Sequence, residues 1–418
     1  MQFSDITMIT HDEQYIDRRI LLEAATLVEN GHRVTIISPF SGVPGGFENP
    51  SIQFRSVADK QNTGDVVAGL RYKLRTYLPS GVYGFLKNLF FQLTRSDYIP
   101  FYSAMLELAL HTDADVFVAH DLPALPIAAR AAREKQAYLV YDSHEFFLGQ
   151  AMLQGRRKDF YGLTEKEHIR EPDLVMTVNR DIANLFTETY AIPEPEIILN
   201  AAPENRETSG QVNLHRNLGI SERKRIILFQ GAFLEDRNIE VLVESAAFLP
   251  DDMVLVLLGM GVMKHRLKKK ARRKKILDRR VFFMQSVPPS EIIGYCRGAS
   301  LGVIPYPAVD ENTRFCTPNK LFDFIRAEVP VVANKDLVTV NALLDEYGIG
   351  RGIEFSDPEA IADSLSKISE DDITEWKLKL PNASEQLSWE KQEQKLLSCF
   401  RRMFRRPPAS RTEKEQRG

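Results

Sequence analysis

Short apolar runs alternate with amphipathic segments along most of the chain, a pattern typical of parallel strands joined by helices. In the first half, runs of strand length occupy residues 6–10, 34–38, 116–119, 137–141, 174–178 and 197–199. Helical patterns separate several of them, over residues 15–29, 122–134 and 181–190. Strands that are apolar on both faces need helices on both faces. We therefore predict that residues 1–200 form a doubly wound α/β domain with a parallel sheet.

The pattern stops once and then starts again. Residues 200–213 are polar and contain Pro, Gly and Ser, which is typical of a linker. Beyond them, strand-like runs occupy residues 226–230, 254–258, 281–284, 301–305 and 329–333, and helical patterns cover 240–248, 262–276, 289–297 and 318–327. Residues 201–384 are therefore predicted to form a second Rossmann-like domain that faces the first. Ligands of such sheets bind beyond the carboxyl ends of the strands, so the cleft between the domains is the predicted site.

Residues 65–112 do not follow the alternation of strands and helices. They predict one or two long helices, rich in aromatic and cationic residues, inserted into the first domain. Two interpretations stay open. The insertion either packs on the domain as a helical hairpin, or it lies in a membrane interface through the basic and aromatic residues of 71–93.

The composition is that of an ordinary globular protein: 418 residues, 44% hydrophobic and 27% charged. Its three cysteines are too widely spaced for a disulfide framework or a CxxC zinc site, which favours a reducing compartment. No signal peptide is readable, and the longest purely apolar run, residues 253–258, is too short to span a bilayer. We expect a cytoplasmic protein.

The formal net charge of −3 hides two basic segments. Residues 264–280 contain eleven Lys or Arg and one acid, and residues 401–418 contain seven and two. Such segments form either solvated faces and frayed ends or contacts with anions. An anionic membrane surface is the candidate partner of 71–93 and 264–280, and no nucleic acid partner is expected. The basic tail, 405–418, is predicted to be disordered.

Three histidines follow predicted strands of the first domain, each with an acid directly after it. They are His11, His120 and His144, and the acid after His120 is Asp121. Strand ends in a parallel sheet converge, so we expect these side chains to line the cleft. Imidazole can donate or accept a proton near pH 7 and would orient an acceptor hydroxyl. No recognised metal-ligand spacing is present, and no metal is expected.

The second domain carries features that suit a phosphate. Gly231 and Gly259 follow strands, and Arg237 opens a helix. Another helix is predicted to begin with Thr317 as N-cap and Pro at its first position. The residues of this helix start are Thr317, Pro318, Asn319 and Lys320. Free backbone N–H groups and a lysine at a helix start favour a diphosphate, although each feature alone is also ordinary capping.

These segments resemble the GT-B glycosyltransferases of the family-4 type. DVFVAHDLPALPIAA, YLVYDSHEFF and DLVMTVNRDIANLF resemble the family's N-terminal domain. ILFQGAFLEDRNIEVLVESA, VLVLLGMG and LGVIPYPAVDENTRFCTPNKLFDFIRAEVPVVAN resemble its nucleotide-sugar-binding domain. The similarity covers about residues 5–370 apart from the insertion. It implies a GT-B fold and transfer of a sugar from a nucleoside-diphosphate donor, of UDP or GDP type, to an acceptor hydroxyl. Retained anomeric configuration and no metal or other cofactor are also implied.

The resemblance also implies roles for residues at matching positions. His120 would lie near the transferred sugar and the acceptor. Arg237 and Lys320 would neutralise the departing diphosphate, a sensible use of preorganised charge. Asp323 takes the place of the family's second Glu, which holds the ribose. The implied donor-binding residues are Gly231, Gly259, Thr317, Asn319 and Asp323. The acceptor-side candidates are His11, Asp121 and His144.

The chain departs from the family's pattern at three places. Phe315 stands where the first of two acids is usual, and Glu311 is nearby but out of register. Ala232 replaces the basic residue that usually follows the second-domain glycine. In the first loop, Asp17 and Arg18 occupy the region of a glycine pair.

We therefore expect a retaining glycosyltransferase of surface polysaccharide or glycolipid synthesis, acting on an acceptor glycan or lipid-linked sugar at the cytoplasmic membrane face. A nucleotide-sugar epimerase of the same architecture and a non-catalytic sugar-nucleotide-binding scaffold are the alternatives. The resemblance further implies that a last helix, residues 385–404, crosses back onto the first domain.

Overall fold

The computed structural model describes residues 4–12, 15–40, 49–57, 99–203 and 211–410. They form two sheets, and every strand pair in both sheets is parallel. The strand order is β3-β2-β1-β4-β5-β6-β7 in the first sheet and β10-β9-β8-β11-β12-β13 in the second. In both, the order reverses beside the first strand, which creates the crevice where ligands of such sheets bind. The two predicted parallel sheets are thus present.

The first sheet contains all six predicted strands, with bounds within one or two residues of the prediction. Its strands are β1 Asp5–Ile9, β2 Arg33–Ser38, β3 Ile52–Ser56, β4 Val116–His120, β5 Tyr138–Ser143, β6 Leu174–Thr177 and β7 Glu196–Ile197. The edge strand β3 was not predicted, because its sequence, IQFRS, mixes polar and apolar residues. All of β4 is buried, which explains its continuous apolar sequence.

The helices described in the first domain are α1 Arg18–Glu29, α2 Tyr102–Leu110, α3 Leu125–Lys135, α4 Gly155–His168 and α5 Arg180–Tyr190. The first begins three residues later than predicted, because the Asp17 side chain caps it by accepting from the backbone N–H of Arg19. The fourth was missed: its sequence, GRRKDFYGLTEKEH, has almost no apolar periodicity.

The second sheet contains the five predicted strands and a further edge strand. Its strands are β8 Arg225–Gln230, β9 Met253–Leu258, β10 Val281–Met284, β11 Leu301–Ile304, β12 Val331–Asn334 and β13 Gly350–Ile353. The helices of this half are α6 Leu214–Leu218, α7 Ile239–Ser245, α8 Lys264–Arg273, α9 Ile292–Cys296, α10 Glu311–Phe315, α11 Asn319–Arg326, α12 Val338–Tyr347, α13 Pro358–Ser366 and α14 Glu370–Gln386. Short 3₁₀ turns lie at Phe147–Gly149, Glu235–Arg237 and Pro289–Glu291.

The chain then returns to the first domain through α15 Trp389–Met403. The indole of Trp389 donates to the hydroxyl of Thr26 on α1 at 3.2 Å, and the Gln392 side chain accepts from the backbone N–H of Leu199 at 3.1 Å. These contacts, one with α1 and one just after β7, hold the C-terminal helix on the first domain.

Disorder was predicted from residue 405 onward, and this is wrong for residues 405–410. The backbone N–H of Ala409 donates to Asp173 at 2.8 Å, and the hydroxyl of Ser410 donates to the carbonyl of Ala137 at 3.0 Å. The tail's composition gives no sign of these contacts, which reach residues directly before β5 and β6. Residues 411–418 lie outside the described residues.

Most of the predicted helical insertion, 65–112, also lies outside the described residues, including the basic and aromatic segment 71–93. Its last part forms α2, which packs against α3 in the first domain. In the portion of the chain that the structure describes, no helix combines the length and the apolar character that a membrane span requires.

Candidate active site

The first domain places a buried charge cluster at the ends of β4 and β5. His120 is the last residue of β4 and pairs in register with Asp142 of β5, which is fully buried. Arg19 of α1 donates through Nε and Nη2 to the two carboxylate oxygens of Asp142, at 3.0 and 2.7 Å. His144 Nε2 lies 2.8 Å from Asp142 Oδ2, and His120 Nδ1 lies 3.2 Å from the same oxygen. Asp142 is therefore the hub of this cluster.

The cluster sets the two histidines to different protonation states. Although burial opposes it, the Arg19 charge and the two rings hold the pKa of Asp142 well below its usual value, so this carboxylate is ionised. Burial also opposes a charge on His144, yet Asp121 and Asp142 raise its pKa to about 10. His120 has a pKa lowered to about 4, chiefly by burial. At neutral pH His144 is an imidazolium ion and His120 is neutral.

This arrangement leaves one nitrogen of His120 free for a ligand. An ionised Asp142 accepts the Nδ1 proton of His120, which makes Nε2 the acceptor nitrogen. Nε2 is buried and has no hydrogen-bond partner in the described part of the chain. His120 lines a cavity of about 210 Å³ together with Thr10, His11, Asp12, Asp121 and Tyr161. A hydroxyl group in this cavity would satisfy Nε2.

The other acceptor-side candidates have separate positions. His11 and Asp121 line the same cavity as His120, and His11 Nε2 lies 3.0 Å from the carbonyl oxygen of Pro100. Asp121 accepts from the backbone N–H of His144 at 2.8 Å. His144 does not line this cavity; it lies behind His120, at 3.1 Å between Nε2 and Nδ1. His144 was expected to line the cleft; its side chain is 13% exposed and its Nε2 is bound to Asp142.

Sequence reasoning missed Arg19 and Asp142. Both carry a signal in hindsight: each is a charged residue within an apolar pattern, Arg19 on the buried face of α1 and Asp142 within a buried strand. Buried charges are rare unless they are paired, so two of them in neighbouring elements suggest a pair.

Metal-ligating atoms of His120, Asp142 and His144 lie within 4.8 Å of one another. The group fits a cation poorly, because both oxygens of Asp142 accept hydrogen bonds from the Arg19 guanidinium. His144 is also held as a cation by its acids. The three residues therefore serve as a hydrogen-bond network.

In the second domain, two loops approach each other closely at the ends of β8 and β9. Gly231 and Gly259 have φ values of 127° and 153°, which side-chain-bearing residues rarely adopt. A Cβ atom on Gly259 would lie 2.0 Å from the carbonyl oxygen of Gly231. Glycine is therefore required at Gly259 by contact as well as by conformation, and the two predicted glycines adjoin each other.

Two cations share an aromatic ring beside these glycines. Arg237 Cζ lies 4.3 Å and Lys320 Nζ lies 4.4 Å from the ring centroid of Tyr306. Lys320 is buried, and its Nζ is 4.2 Å from the ring centroid of Phe229. No hydrogen bond or ion pair to an acid reaches Lys320 within the described ranges. Burial and the Arg237 charge hold its pKa well below the usual value. The charges of Asp323 and Asp236 offset this lowering only in part, so the charged form of Lys320 needs a further anion.

Asp323 lies one turn after Lys320 and connects the two domains. Its Oδ1 accepts from Nη1 of Arg18, in the first domain, at 2.6 Å. Its Oδ2 accepts from Nε2 of Gln230 at 3.0 Å. Arg18 and Arg19 are consecutive, so α1 begins with one arginine bonded to Asp323 and one bonded to Asp142. This pair of contacts brings both sites together.

The helix start at 317–320 differs from the prediction. Pro318, not Thr317, is the N-cap residue of α11, and it makes no side-chain capping bond. Thr317 is buried, with its hydroxyl 3.4 Å from Nδ2 of Asn179 in the first domain. Asn319 is the first residue of the helix. Packing against the first domain, which sequence alone does not reveal, draws Thr317 away from the cap.

Phe315, one of the residues that depart from the family's pattern, lies at this domain boundary. Phe315 packs against the core of the first domain, and its carbonyl accepts from Nδ2 of Asn179 at 2.8 Å. Asn312 donates to Glu145 at 3.0 Å and accepts from the backbone N–H of Phe146 at 3.0 Å. Glu311 is exposed. The segment α10 therefore docks the domains, and its apolar Phe315 serves that contact.

Two family models match consecutive parts of the chain. The model described as "Glycosyl transferase 4-like domain" matches residues 16–201. The model described as "Glycosyl transferases group 1" matches residues 211–386. The chain belongs to the GT-B glycosyltransferases of the family-4 type. The resemblance read from the sequence is thereby confirmed.

A curated relative of this glycosyltransferase is the putative colanic acid biosynthesis glycosyl transferase WcaI of Escherichia coli strain K12. The two are 28% identical over 156 residues, which span 34% of this chain and 38% of WcaI. The match therefore covers well under half the length of that relative.

Solved structures share the fold over nearly the whole chain. Sucrose-phosphate synthase from Thermosynechococcus elongatus aligns with a TM-score of 0.71 and 15% identity, covering 96% of this chain and 99% of that one. Anabaena HepE in complex with UDP and glucose aligns with a TM-score of 0.69 and 14% identity, covering 95% and 99%. WaaG, a glycosyltransferase of lipopolysaccharide biosynthesis, aligns with a TM-score of 0.62 and 15% identity, covering 93% and 98%. At such identities these likenesses show the GT-B fold.

Proposed function

We propose that this glycosyltransferase transfers a sugar from a nucleoside-diphosphate donor, of UDP or GDP type, to an acceptor hydroxyl with retained configuration. The observation that carries the proposal is the buried Lys320, which shares the Tyr306 ring with Arg237 and has no acid bonded to it in the described residues. A buried cation costs free energy unless an anion compensates it. A diphosphate beside Gly231 and Gly259 would supply that anion.

Structural neighbours support a nucleotide-sugar donor. HepE of Anabaena has been solved with UDP, with UDP and glucose, and with UDP-glucose. The same fold here brings a cation pair and two close-packed glycine loops to the strand ends of the second domain. In this donor site Lys320 and Arg237 are the charged groups. Thr317, Asn319 and Asp323 form part of its wall.

The proposed chemistry divides between the domains. As the bond between sugar and diphosphate breaks, negative charge accumulates on the leaving group, and Lys320 and Arg237 stabilise that charge. Neutral His120 accepts a hydrogen bond through Nε2 from a hydroxyl of the acceptor or the transferred sugar. Asp142 and His144 hold the His120 ring in this orientation. His11 and Asp121 line the remaining wall of the acceptor cavity.

We assign the acceptor to surface polysaccharide or glycolipid synthesis, an assignment supported by the similarity to WcaI, a putative colanic acid biosynthesis glycosyl transferase, and to WaaG, a glycosyltransferase of lipopolysaccharide biosynthesis. Such an acceptor places the enzyme on the cytoplasmic face of a membrane. The basic segment 264–280 is a candidate contact. Part of its charge is already paired, since Lys270 lies 2.6 Å from Glu240 and Arg280 bonds Asp251. Lys269, Arg272 and Arg273 are exposed on α8 and remain for a membrane.

Vesicle sedimentation tests the membrane contact. We expect binding to vesicles with anionic lipid that weakens as salt is added, because surface attraction is screened by ions. Replacing Lys269, Arg272 and Arg273 by Gln should remove about 1 kcal/mol of binding per charge. A matched control replaces Lys367, directly after α13, as well as Lys377 and Lys379 on α14. Equal retention of the protein on neutral and anionic vesicles would overturn the assignment.

A nucleotide panel followed by turnover tests the donor assignment. Thermal unfolding with UDP, GDP, ADP, dTDP and CMP should show selective stabilisation by one diphosphate, since a ligand at a hundred times its Kd adds about 2.7 kcal/mol. Arg237→Ala should then abolish transfer to acceptor while the unfolding temperature stays near that of wild type. Unchanged turnover in this variant would remove Arg237 from the mechanism. The anomeric configuration of the product, read by NMR, tests retention.

The same assay separates the alternatives. An epimerase converts the nucleotide sugar to an isomer when no acceptor is present. A scaffold binds the nucleotide and shows no turnover with any acceptor. Transfer that requires an acceptor supports the proposed function over both.

A further inference from the structure

Arg18 occupies an unusual position at the junction of the two domains. It is the first residue of α1 in the first domain, and 13% of its side chain is exposed. Its Nη1 donates to Asp323 Oδ1 in the second domain at 2.6 Å. Its Nη2 is buried and has no hydrogen-bond partner in the part of the chain that the structure describes. Half of the guanidinium fork is therefore unused.

A purely structural ion pair would use that fork differently. Arginine commonly binds a carboxylate through two parallel N–H···O bonds. Arg19, the next residue, binds Asp142 in this bidentate way. In the Arg18 pair, the second oxygen of Asp323 is instead taken by Gln230 at 3.0 Å. Nη2 is therefore a buried donor without an acceptor, which is unfavourable unless a further acceptor binds there.

The surroundings of Arg18 indicate which acceptor would fit. Gln230 directly precedes Gly231, and a Cβ on Gly231 would lie 3.0 Å from Nζ of Lys320. Asp323 thus links Arg18 to Gln230, and the loop after Gln230 lies beside Lys320. Arg18 is therefore near the pair formed by Lys320 and Arg237. Three cations meet Asp323 and Asp236, the latter 3.5 Å from Nε of Arg237. Lys320 makes neither ion pair, and the charges of Asp323 and Asp236 offset the cost of its charged form only in part.

We propose that Arg18 is a ligand of the donor's diphosphate, contributed by the first domain through Nη2 and positioned by Asp323 through Nη1. This inference rests on the proposed function, because it assigns a further residue to the same donor site. It also gives a reason for the altered first loop: a side chain reaches the diphosphate where the family has a glycine pair. The second domain alone would offer an incomplete site, and the first domain would complete it.

Calorimetric titration of the full-length protein tests the inference without a turnover assay. The probes are UDP and uridine, or GDP and guanosine if the nucleotide panel selects that base. Arg18→Ala should weaken diphosphate binding by about 10-fold to 100-fold, the range for a hydrogen bond between charged groups. Nucleoside binding should change by less than about two-fold, since the nucleoside has no phosphate. Arg18→Lys should restore part of the loss, because it keeps the charge but lacks the planar fork.

A matched variant separates direct contact from domain docking. Asn312→Ala removes two other bonds between the domains, to Glu145 and to the backbone of Phe146. We expect it to leave UDP binding within about two-fold of wild type. If it weakens binding as much as Arg18→Ala does, docking explains the loss and the inference is wrong.

The outcomes also separate the inference from the function on which it rests. Wild-type protein that binds no nucleoside diphosphate at all contradicts the proposed function. Wild-type protein that binds one, with Arg18→Ala binding equally well, contradicts only the role of Arg18. Tighter binding by Arg18→Ala would overturn the inference as well, because Arg18 would then compete with the nucleotide for Asp323.

Discussion

The two domains hold charge at the cleft in opposite ways. In the first domain, the buried carboxylate of Asp142 is surrounded by donors from Arg19, His120 and His144 at 2.7 to 3.2 Å. In the second domain, buried Lys320 contacts aromatic rings and has no acid partner in the described residues. The Asp142 carboxylate is satisfied without a ligand, whereas Lys320 is not, and Nε2 of His120 stays available to a ligand.

The difference separates two tasks within one site. A saturated cluster holds its side chains in one arrangement, so His120 presents a fixed nitrogen to the acceptor cavity. An unsaturated cluster is unfavourable in the free protein and becomes favourable when an anion binds. The first cluster therefore serves orientation and stability, whereas the second favours binding and leaving-group stabilisation at a cost to stability. Three changes test this comparison.

Asp142→Asn should have the largest effect. It leaves the Arg19 and His144 charges without their carboxylate in a buried place, which typically costs about 3–5 kcal/mol of unfolding free energy. Urea unfolding measures it. The control is Asp5→Asn, at the exposed pair with Arg33, where a loss below about 1 kcal/mol is expected. If both variants lose the same stability, the first cluster is not the stabilising one.

Lys320→Met should act in the opposite direction on stability and strongly on turnover. Loss of one preorganised charge at a leaving group lowers kcat by about 100-fold to 1,000-fold. Unfolding of the free protein should shift to higher urea, because an apolar side chain replaces a buried cation that lacks an anion. Lys335→Met, at an exposed ion pair with Glu354, is the control for both readouts. A destabilised Lys320→Met protein would show that the aromatic contacts alone satisfy this cation.

The pH dependence of stability should differ between the histidines, as a smaller effect per pH unit. His144 has a pKa raised to about 10 by its acids, so its contribution is complete below pH 6.5 and lost as pH rises through 10. The pKa of His120 is lowered to about 4, so its contribution is present above pH 6.5 and lost as pH falls toward 4.

Unfolding of wild type and His144→Gln from pH 6.5 to 10 measures the contribution of His144 to the free energy of unfolding. The stability difference between the two proteins should shrink as pH rises, by at most about 1.4 kcal/mol per pH unit. A difference that is constant across this range would mean that His144 is neutral in the folded protein, and that the first cluster is less saturated than its geometry indicates.

Most strands could be predicted because they are short, largely apolar runs, a pattern that is visible in the sequence itself. All of β4 and β9 are buried, for example, and both runs were recognised. The edge strand β3 and the polar helix α4 were not predicted, because neither has a strong hydrophobic period. His120 and Gly231 could be placed because they lie at the ends of the predicted strands β4 and β8.

The sequence by itself determined two parallel sheets, glycines at two strand ends and a histidine at another, because these follow from periodicity and from steric limits on single residues. Only the tertiary structure decided the partners of the charges. Arg18 and Asp323 are separated by 305 residues and Arg19 and Asp142 by 123. Contacts over such separations depend on how the elements pack, and local pattern does not encode them. That packing makes Asp142 a saturated hub and leaves Lys320 without an anion.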